Sequence, residues 1–266
     1  MNIKTGKILC GMYNDSRQSC DMWKSTFKAM DAGTFSVDDL QVFCKDQEQD
    51  FMDHNVLLAH TCGLPLLRKW QSSHRPVCIP VFDVPGCYGK NYSSWIVARA
   101  GDSRSELVDF ENTTAAFSSR HSNSGMNVLR HSISNLGVSG KFFETTLETG
   151  SHYMSMRAVE RGAADIAAID SVTYRINMDL HPELQNSLKI IGQTEHSPGL
   201  PFIVRNDRPW GSEDITHALN NALQNARQKN PNLKYLSGFE PTKIEDYVRV
   251  QALEDEAIGA GYPLLQ

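Results

Sequence analysis

A chain of 266 residues, 40% hydrophobic and 21% charged, is long enough to bury one large core or two smaller ones. Its formal charge of -5 is spread along the sequence without Lys/Arg clusters or stacked aromatic motifs, which argues against nucleic acid as the main partner. No stretch approaches the ~18 apolar residues of a membrane span, and Ile8-Leu9-Cys10 is too short for a signal-peptide core. As written the product reads as cytoplasmic, or as periplasmic if a leader has been removed. Lys7–Tyr13 reads as a first strand, and Ser16–Met30 as a helix with Cys20, Trp23, Phe27 and Met30 at three- and four-residue spacing, stopped by Gly33. Trp23 and Phe27 are core residues on that spacing. Leu40–Cys44 is a short strand, Asp46–Asp53 a polar helix, Asn55–His60 a buried strand, Leu64–Ser72 a helix and Val77–Val84 a strand. Alternation of this kind indicates parallel βαβ construction, in which ligands collect beyond the carboxyl ends of strands. Tyr13 falls at such an end, as a cleft wall or a surface turn, and Thr61 and Cys62 fall at another.

Ser93–Ala100 reads as a long strand followed by a polar linker at 101–105. A second alternating unit follows: strand Thr114–Ser118, helix Ser124–Leu136, strand Phe142–Thr146, helix His152–Arg161, strand Ile166–Ile169, helix Ser171–Met178 and strand Leu188–Gly192. A second extended run, Leu200–Arg205, precedes helical material at Glu213–Arg227 and Thr242–Ile258. The two extended runs bracket the second unit, so the chain is either an outer domain with an inserted one and a cleft between them, or one doubly wound sheet with a helical cap.

Within that second unit, His121-Ser122-Asn123-Ser124-Gly125 and Gly150-Ser151-His152 each follow a strand and open a helix. Two helix starts offering hydroxyls and backbone N–H groups suit a small anion or polar ligand. Neither carries paired acids, Walker glycines or a nucleophile elbow, so the chain reads as a binder and not an enzyme. The six cysteines, at 10, 20, 44, 62, 78 and 87, show no zinc-site spacing, and neither a metal nor another cofactor is expected. Cys10, Cys20 and Cys78 lie on apolar faces as buried thiols. Cys62 and Cys87, each in a glycine-containing turn, are either bridged in an oxidising compartment or free in a reducing one.

Taken in order, Tyr92-Ser93-Ser94-Trp95-Ile96-Val97-Ala98-Arg99, Ser122-Asn123-Ser124-Gly125, Gly150-Ser151-His152 and the run from Gly162 to Asp170 resemble the phosphonate-binding substrate-binding proteins of ABC importers. The likeness runs from about residue 55 to residue 205. It is nearest a branch with a Thr-Cys-Gly turn, a Gly-Cys turn and a Pro-Gly-Leu-Pro run, here Pro198–Pro201. The resemblance implies an α/β, type II periplasmic-binding-protein fold with two lobes joined by two crossover strands. Residues 1–94 and 206–266 then form a discontinuous outer lobe, and 95–205 the inserted lobe with the crossovers.

Carried over residue by residue, the family's Ser-Thr-Ser-Gly turn becomes Ser122, Asn123, Ser124 and Gly125, with Asn in place of Thr. His152 matches its Gly-Ser-His helix start, Asp170 the acid after the strand, and Tyr92 the hinge-proximal tyrosine. On this reading the hydroxyls of Ser122 and Ser124 and the N–H groups of Ser124 and Gly125 hold the negative end of a ligand. His152 adds a donor that makes binding depend on pH at about 6 to 7. Asp170 accepts from an amino or hydroxyl group, which suggests a zwitterionic solute. Each residue also has a plain structural role to fill: Ser122, Ser124 and Asp170 as helix caps, His152 as a cap or carbonyl partner, Tyr92 as the start of a strand. Arg99 and Arg205, on the extended runs, suit an interlobe salt bridge as well as ligand contact. The leading expectation is a monomeric protein that captures a small polar, anionic or zwitterionic ligand for an ABC permease. The alternatives are a cytoplasmic enzyme of the same fold and a stand-alone solute sensor.

Overall fold

In the computed structural model, which describes residues 5–14, 16–30, 38–44, 48–138, 140–228, 233 and 235–266, the apolar runs become the central strands of two larger sheets. The expected helix stop at Gly33 and helix start at Asp46 lie outside the described residues. In chain order the strands are β1 (Thr5–Cys10), β2 (Asp39–Phe43), β3 (Val56–His60), β4 (His74–Phe82), β5 (Cys87–Tyr88), β6 (Asn91–Tyr92) and β7 (Ser94–Arg99). They continue as β8 (Thr114–Phe117), β9 (Thr145–Glu148), β10 (Ile166–Asp170), β11 (Leu188–Gln193), β12 (Ser197–Pro198), β13 (Phe202–Arg205) and β14 (Leu236–Pro241). The α-helices are α1 (Arg17–Lys28), α2 (Gly63–Pro65), α3 (Val128–Ser134), α4 (His152–Glu160), α5 (Ser171–Leu180), α6 (Pro182–Ser187), α7 (Ser212–Arg227) and α8 (Val248–Gly259).

The chain divides into unit 1, Met1–Asp83 with Gly199–Tyr247, and unit 2, Val84–Pro198 with Val248–Gln266. Unit 1 holds a sheet in the order β14-β4-β13-β3-β1-β2. β1 runs parallel to β2 and β3, whereas β13 is antiparallel to β3 and β4, and β14 antiparallel to β4. The sheet is therefore mixed rather than wholly parallel. β3 is buried along its whole length, as its unbroken apolar run requires. Trp23 and Phe27 of α1 are fully buried, as their spacing predicts. Their rings meet Phe202 edge-on at 5.5 and 5.2 Å.

Unit 2 holds a sheet in the order β11-β7-β10-β8-β9 and a small one in the order β12-β6-β5. β8, β9 and β10 are parallel; β7 is antiparallel to β10, and β11 to β7. Alternation along β10 sends Ile166 and Ala168 to one face and Ala167 and Ile169 to the other. The first face packs on Leu129, Ile133, Phe142 and Phe143, and the second on Met156, Val159 and Met178.

Several expectations change. The C-terminal segment, placed by the sequence with the outer lobe, belongs to unit 2 because Leu253 and Tyr262 are fully buried in its core. The Gln266 carbonyl also accepts from the N–H groups of Phe142 and Phe143 at 2.8 and 2.9 Å. The expected helix Thr242–Ile258 is accordingly a 3-10 turn, Ile244–Tyr247, ending unit 1, and α8 opening the last part of unit 2. Phe142 and Phe143 turn into the core, so β9 starts at Thr145 and not at Phe142. β14 escaped notice because Gly238 and Pro241 interrupt its apolar pattern, and proline is tolerated at such a sheet edge. β7 pairs within the sheet of unit 2 and β13 within that of unit 1. No helix among the described residues is long and apolar enough to cross a membrane.

If α8 completes the core of unit 2, Leu253→Ala will destabilise the protein by about 2–5 kcal/mol in chemical denaturation. Amides of β7 and β10 will lose protection in the same variant. A loss below about 0.5 kcal/mol, the range of surface substitutions, would contradict that packing.

Candidate functional site

After β8 the chain turns at Ser118–Ser122 into a π-helical turn, Asn123–Asn127, which continues as α3. Ser122 caps it: its Oγ accepts the Gly125 N–H at 2.9 Å. The wide turn is closed by the Asn127 N–H on the Ser122 carbonyl at 3.1 Å. Gly125 fits a tight space. A Cβ at this position would lie 2.5 Å from Ser118 Oγ, closer than side-chain carbons come, and 3.2 Å from Ser118 N and Ser122 Oγ, a tight contact. Glycine thus lets the turn lie against the end of β8 without displacing the Ser118 hydroxyl or the turn itself. The Ser94 hydroxyl donates to the Ser124 carbonyl at 2.9 Å and fixes the turn to β7.

The other helix start follows β9. Gly150 has φ +87°, a left-handed conformation that suits glycine. Ser151, not His152, caps α4, its Oγ accepting the Met154 N–H at 3.2 Å. His152 is thereby free to reach the first turn, and its Nε2 is hydrogen-bonded to Ser124 Oγ at 2.8 Å. Ser124 Oγ also lies 3.4 Å from Ser122 Oγ. The structure thus brings Ser122, Ser124 and His152 into one hydrogen-bonded group at the start of two helices, where the first N–H groups have no intrahelical acceptor and the dipole favours negative charge.

The expectation that His152 titrates near neutrality is corrected. Burial lowers its pKa to about 4, against the pull of the Ala168 carbonyl, which favours the protonated ring. That carbonyl does not reach good hydrogen-bond geometry, and Nδ1 is a buried nitrogen without a partner. At neutral pH the ring is uncharged, and the group offers only neutral hydrogen-bonding atoms.

The remaining candidates occupy different places. Asn123 is buried and turned inward, donating to the Tyr92 hydroxyl at 3.0 Å and accepting from Asn127 Nδ2 at 2.9 Å. Gly125 contributes shape, its N–H being engaged by Ser122. Asp170 is 1% exposed and caps α5, its Oδ1 accepting from the N–H groups of Val172 and Thr173 at 2.8 and 3.0 Å. Cys87 Sγ lies 3.4 Å from Ser171 Oγ, and neither Cys62 nor Cys87 is in a disulfide. Burial pushes the Cys87 thiol up to about 12. Arg99 bonds the carbonyls of Val159 and Ala164 and the Asp165 carboxylate, all in unit 2. Arg205 bonds Asp207 and the Met52 carbonyl, all in unit 1. Of the buried thiols expected, Cys10 and Cys78 are buried, whereas Cys20 is only half-buried.

In unit 1, Tyr13, Thr61 and Cys62 follow the carboxyl ends of β1 and β3, which are neighbours in the sheet. Tyr13 has φ +53° and lies edge-on to His60, their ring centres 5.8 Å apart. Thr61 N–H donates to the Pro201 carbonyl at 3.1 Å, and Cys62 precedes α2 without a side-chain cap. Sequence reasoning missed Ser94, Ser118, Asn127 and Arg130, which hold the Ser122–Gly125 turn or pack against it. The signal for the last two was legible as a polar stripe at helical spacing: Asn123, Asn127 and Arg130.

Gly125→Ala will force the turn away from Ser118. We expect the His152 ring resonances to shift and stability to fall by about 1–3 kcal/mol, the usual cost of overpacking; an unchanged spectrum would refute the close approach. The folded-state pKa of His152 lies below its ordinary value of 6.5, so the folded protein binds fewer protons. The ring's contribution to stability is complete above pH 6.5 and declines as the pH falls toward 4. His152→Gln will flatten that part of the pH–stability profile, and NMR will show a neutral ring at pH 6.

Residues 45–251 match a family described as ABC transporter, phosphonate, periplasmic substrate-binding protein. No curated protein matches the sequence. Among solved structures, a binding-protein component of an ABC phosphonate transporter from Pseudomonas aeruginosa superposes with a TM-score of 0.74 at 17% identity, covering 97% of this chain and 88% of the other. The methylphosphonate complex of PhnD1 from Prochlorococcus marinus gives 0.65 at 16% identity, covering 95% and 98%. The periplasmic aliphatic sulphonate binding protein SsuA from Escherichia coli gives 0.61 at 12% identity, covering 98% and 78%. These likenesses show a type II periplasmic-binding-protein fold. The family consists of periplasmic proteins that bind small molecules and work with ABC permeases; they are substrate-binding proteins and not enzymes. By the match over residues 45–251, this chain belongs to the phosphonate-type periplasmic substrate-binding protein family of ABC transporters.

Proposed function

We propose that this protein captures a small anion with a tetrahedral oxyanion head, phosphonate- or phosphate-like, and delivers it to an ABC permease as a monomer. The observation that carries the reading is the 2.8 Å hydrogen bond between Ser124 Oγ and His152 Nε2, which joins the two helix starts into one donor group. The Ser122 hydroxyl, the amide of Ser124, and whichever proton of the Ser124–His152 pair is left by their mutual hydrogen bond hold the oxyanion. Neutral donors suffice for such a guest because backbone dipoles supply the positive potential. The Prochlorococcus relative is complexed with methylphosphonate and the Escherichia coli one is a sulphonate binder, and both chemistries present several oxygens to such a group.

Asp170 is assigned to the cap of α5, so the reading rests on the anionic head and not on an amino group. Asn123 and Gly125 shape the turn rather than touch the guest, and Tyr92 supports Asn123. Tyr13, Thr61 and Cys62, grouped at the strand ends of unit 1, are proposed as a second ligand-facing surface.

Calorimetric titration with inorganic phosphate, methylphosphonate, other phosphonates, alkylsulphonates and amino acids tests this reading. We expect at least one phosphorus or sulphur oxyanion to bind and the amino acids to be silent. Ser124→Ala and His152→Ala will each weaken that binding about tenfold or more, the cost of one hydrogen bond to a charged partner. Silence across the panel, or full affinity in both variants, would overturn it.

A further inference from the structure

The Ser122–Gly125 turn is backed by a continuous set of buried polar side chains. Asn123, Asn127 and Arg130 are 1%, 0% and 3% exposed, and Tyr92 and Glu254 are 3% and 7% exposed. Asn127 uses every polar atom of its amide. Its Nδ2 donates to Asn123 Oδ1 at 2.9 Å and to the Val250 carbonyl at 3.2 Å, and its Oδ1 accepts from Arg130 Nη2 at 2.6 Å. Reversing that amide would set oxygen against oxygen and nitrogen against guanidinium, so the orientation is fixed by its partners. Arg130 continues the chain to Glu254 Oε1 at 3.0 Å and, through Nη1, to the Pro263 carbonyl at 2.7 Å. Asn123 completes it on the other side with its bond to the Tyr92 hydroxyl.

A buried ion pair and two buried amides are a costly way to fill a core. Apolar residues in their place would pack the helix against α8 but would remove the side-chain hydrogen bonds that tie the turn to it. The network engages both polar atoms of the Asn123 amide, between Tyr92 and Asn127, in the residue that lies between Ser122 and Ser124. Its far end lies on α8, the helix that opens where the chain last passes from unit 1 to unit 2.

We infer that Tyr92, Asn123, Asn127, Arg130 and Glu254 form a positioning relay that locks the Ser122–Gly125 turn to α8 and sets the affinity of that turn for an oxyanion. None of the five touches the guest. The affinity part rests on the capture reading above; the locking part does not.

Two readouts separate them. In the ligand-free protein, Asn127→Ala and Asn123→Ala will each speed hydrogen exchange at the Gly125 amide by about tenfold, the worth of roughly one hydrogen bond, while the β10 amides Ile166–Asp170 keep their protection. A merely structural loss would raise both together. With inorganic phosphate and methylphosphonate as probes, each variant will bind about tenfold more weakly, and the double variant will be no worse than either single one, because members of one network are not additive. Tyr92→Phe, which removes a single hydroxyl, will act in the same direction if an alanine variant fails to fold. Unchanged exchange at Gly125 in folded variants, or additive effects on affinity, would overturn the relay. If neither probe binds the native protein, the capture reading fails for these anions, and exchange at Gly125 alone decides the relay.

Discussion

The site in unit 2 depends on the absence of one side chain. With no Cβ at Gly125, the turn after β8 closes against Ser118, where a methyl group would stand 2.5 Å from the serine hydroxyl. That approach puts Ser124 within hydrogen-bonding distance of His152 on a separate helix. It also spends the Gly125 N–H on the Ser122 cap. The start of the turn is thereby arranged by the chain's own contacts, which on the proposed reading would lower the ordering cost of binding.

His152 shows how position overrides intrinsic chemistry. In water the ring would be partly protonated near neutrality. Half-buried, with Nδ1 shielded from water, it is neutral, its pKa lowered by desolvation to about 4. A protonated ring would attract anions more strongly but would cost stability in the ligand-free state. On the proposed reading a neutral ring would engage its guest by hydrogen-bond geometry rather than by charge.

Much of this was legible in the sequence because it rests on local chemistry. Ser122 before a helical run was readable as a cap, and Gly150-Ser151-His152 as the start of a second helix, although Ser151 and not His152 proved to be its cap. The apolar run Ile166–Ile169 was readable as a strand. What was not legible depends on residues distant in the chain. The Gln266 carbonyl takes the N–H groups of Phe142 and Phe143, and nothing near residue 142 signals that partner. The membership of α8 in unit 2 depends on where Leu253 and Tyr262 are buried, which periodicity does not state. The same holds for Asn123. Its amide suits a ligand as well as it suits Tyr92 and Asn127, and only the three-dimensional neighbourhood decides between them.

The central claim is that the hydroxyls of Ser122 and Ser124 and the Nε2 of His152 converge on one oxyanion. The most direct test is a high-resolution crystal structure of the protein grown with inorganic phosphate and short phosphonates and sulphonates. Tetrahedral density is predicted with oxygens about 2.6–3.0 Å from Ser122 Oγ and from whichever of Ser124 Oγ and His152 Nε2 carries the proton not spent between them. Density elsewhere, with the Ser124–His152 hydrogen bond undisturbed and these groups facing only protein atoms, would contradict it.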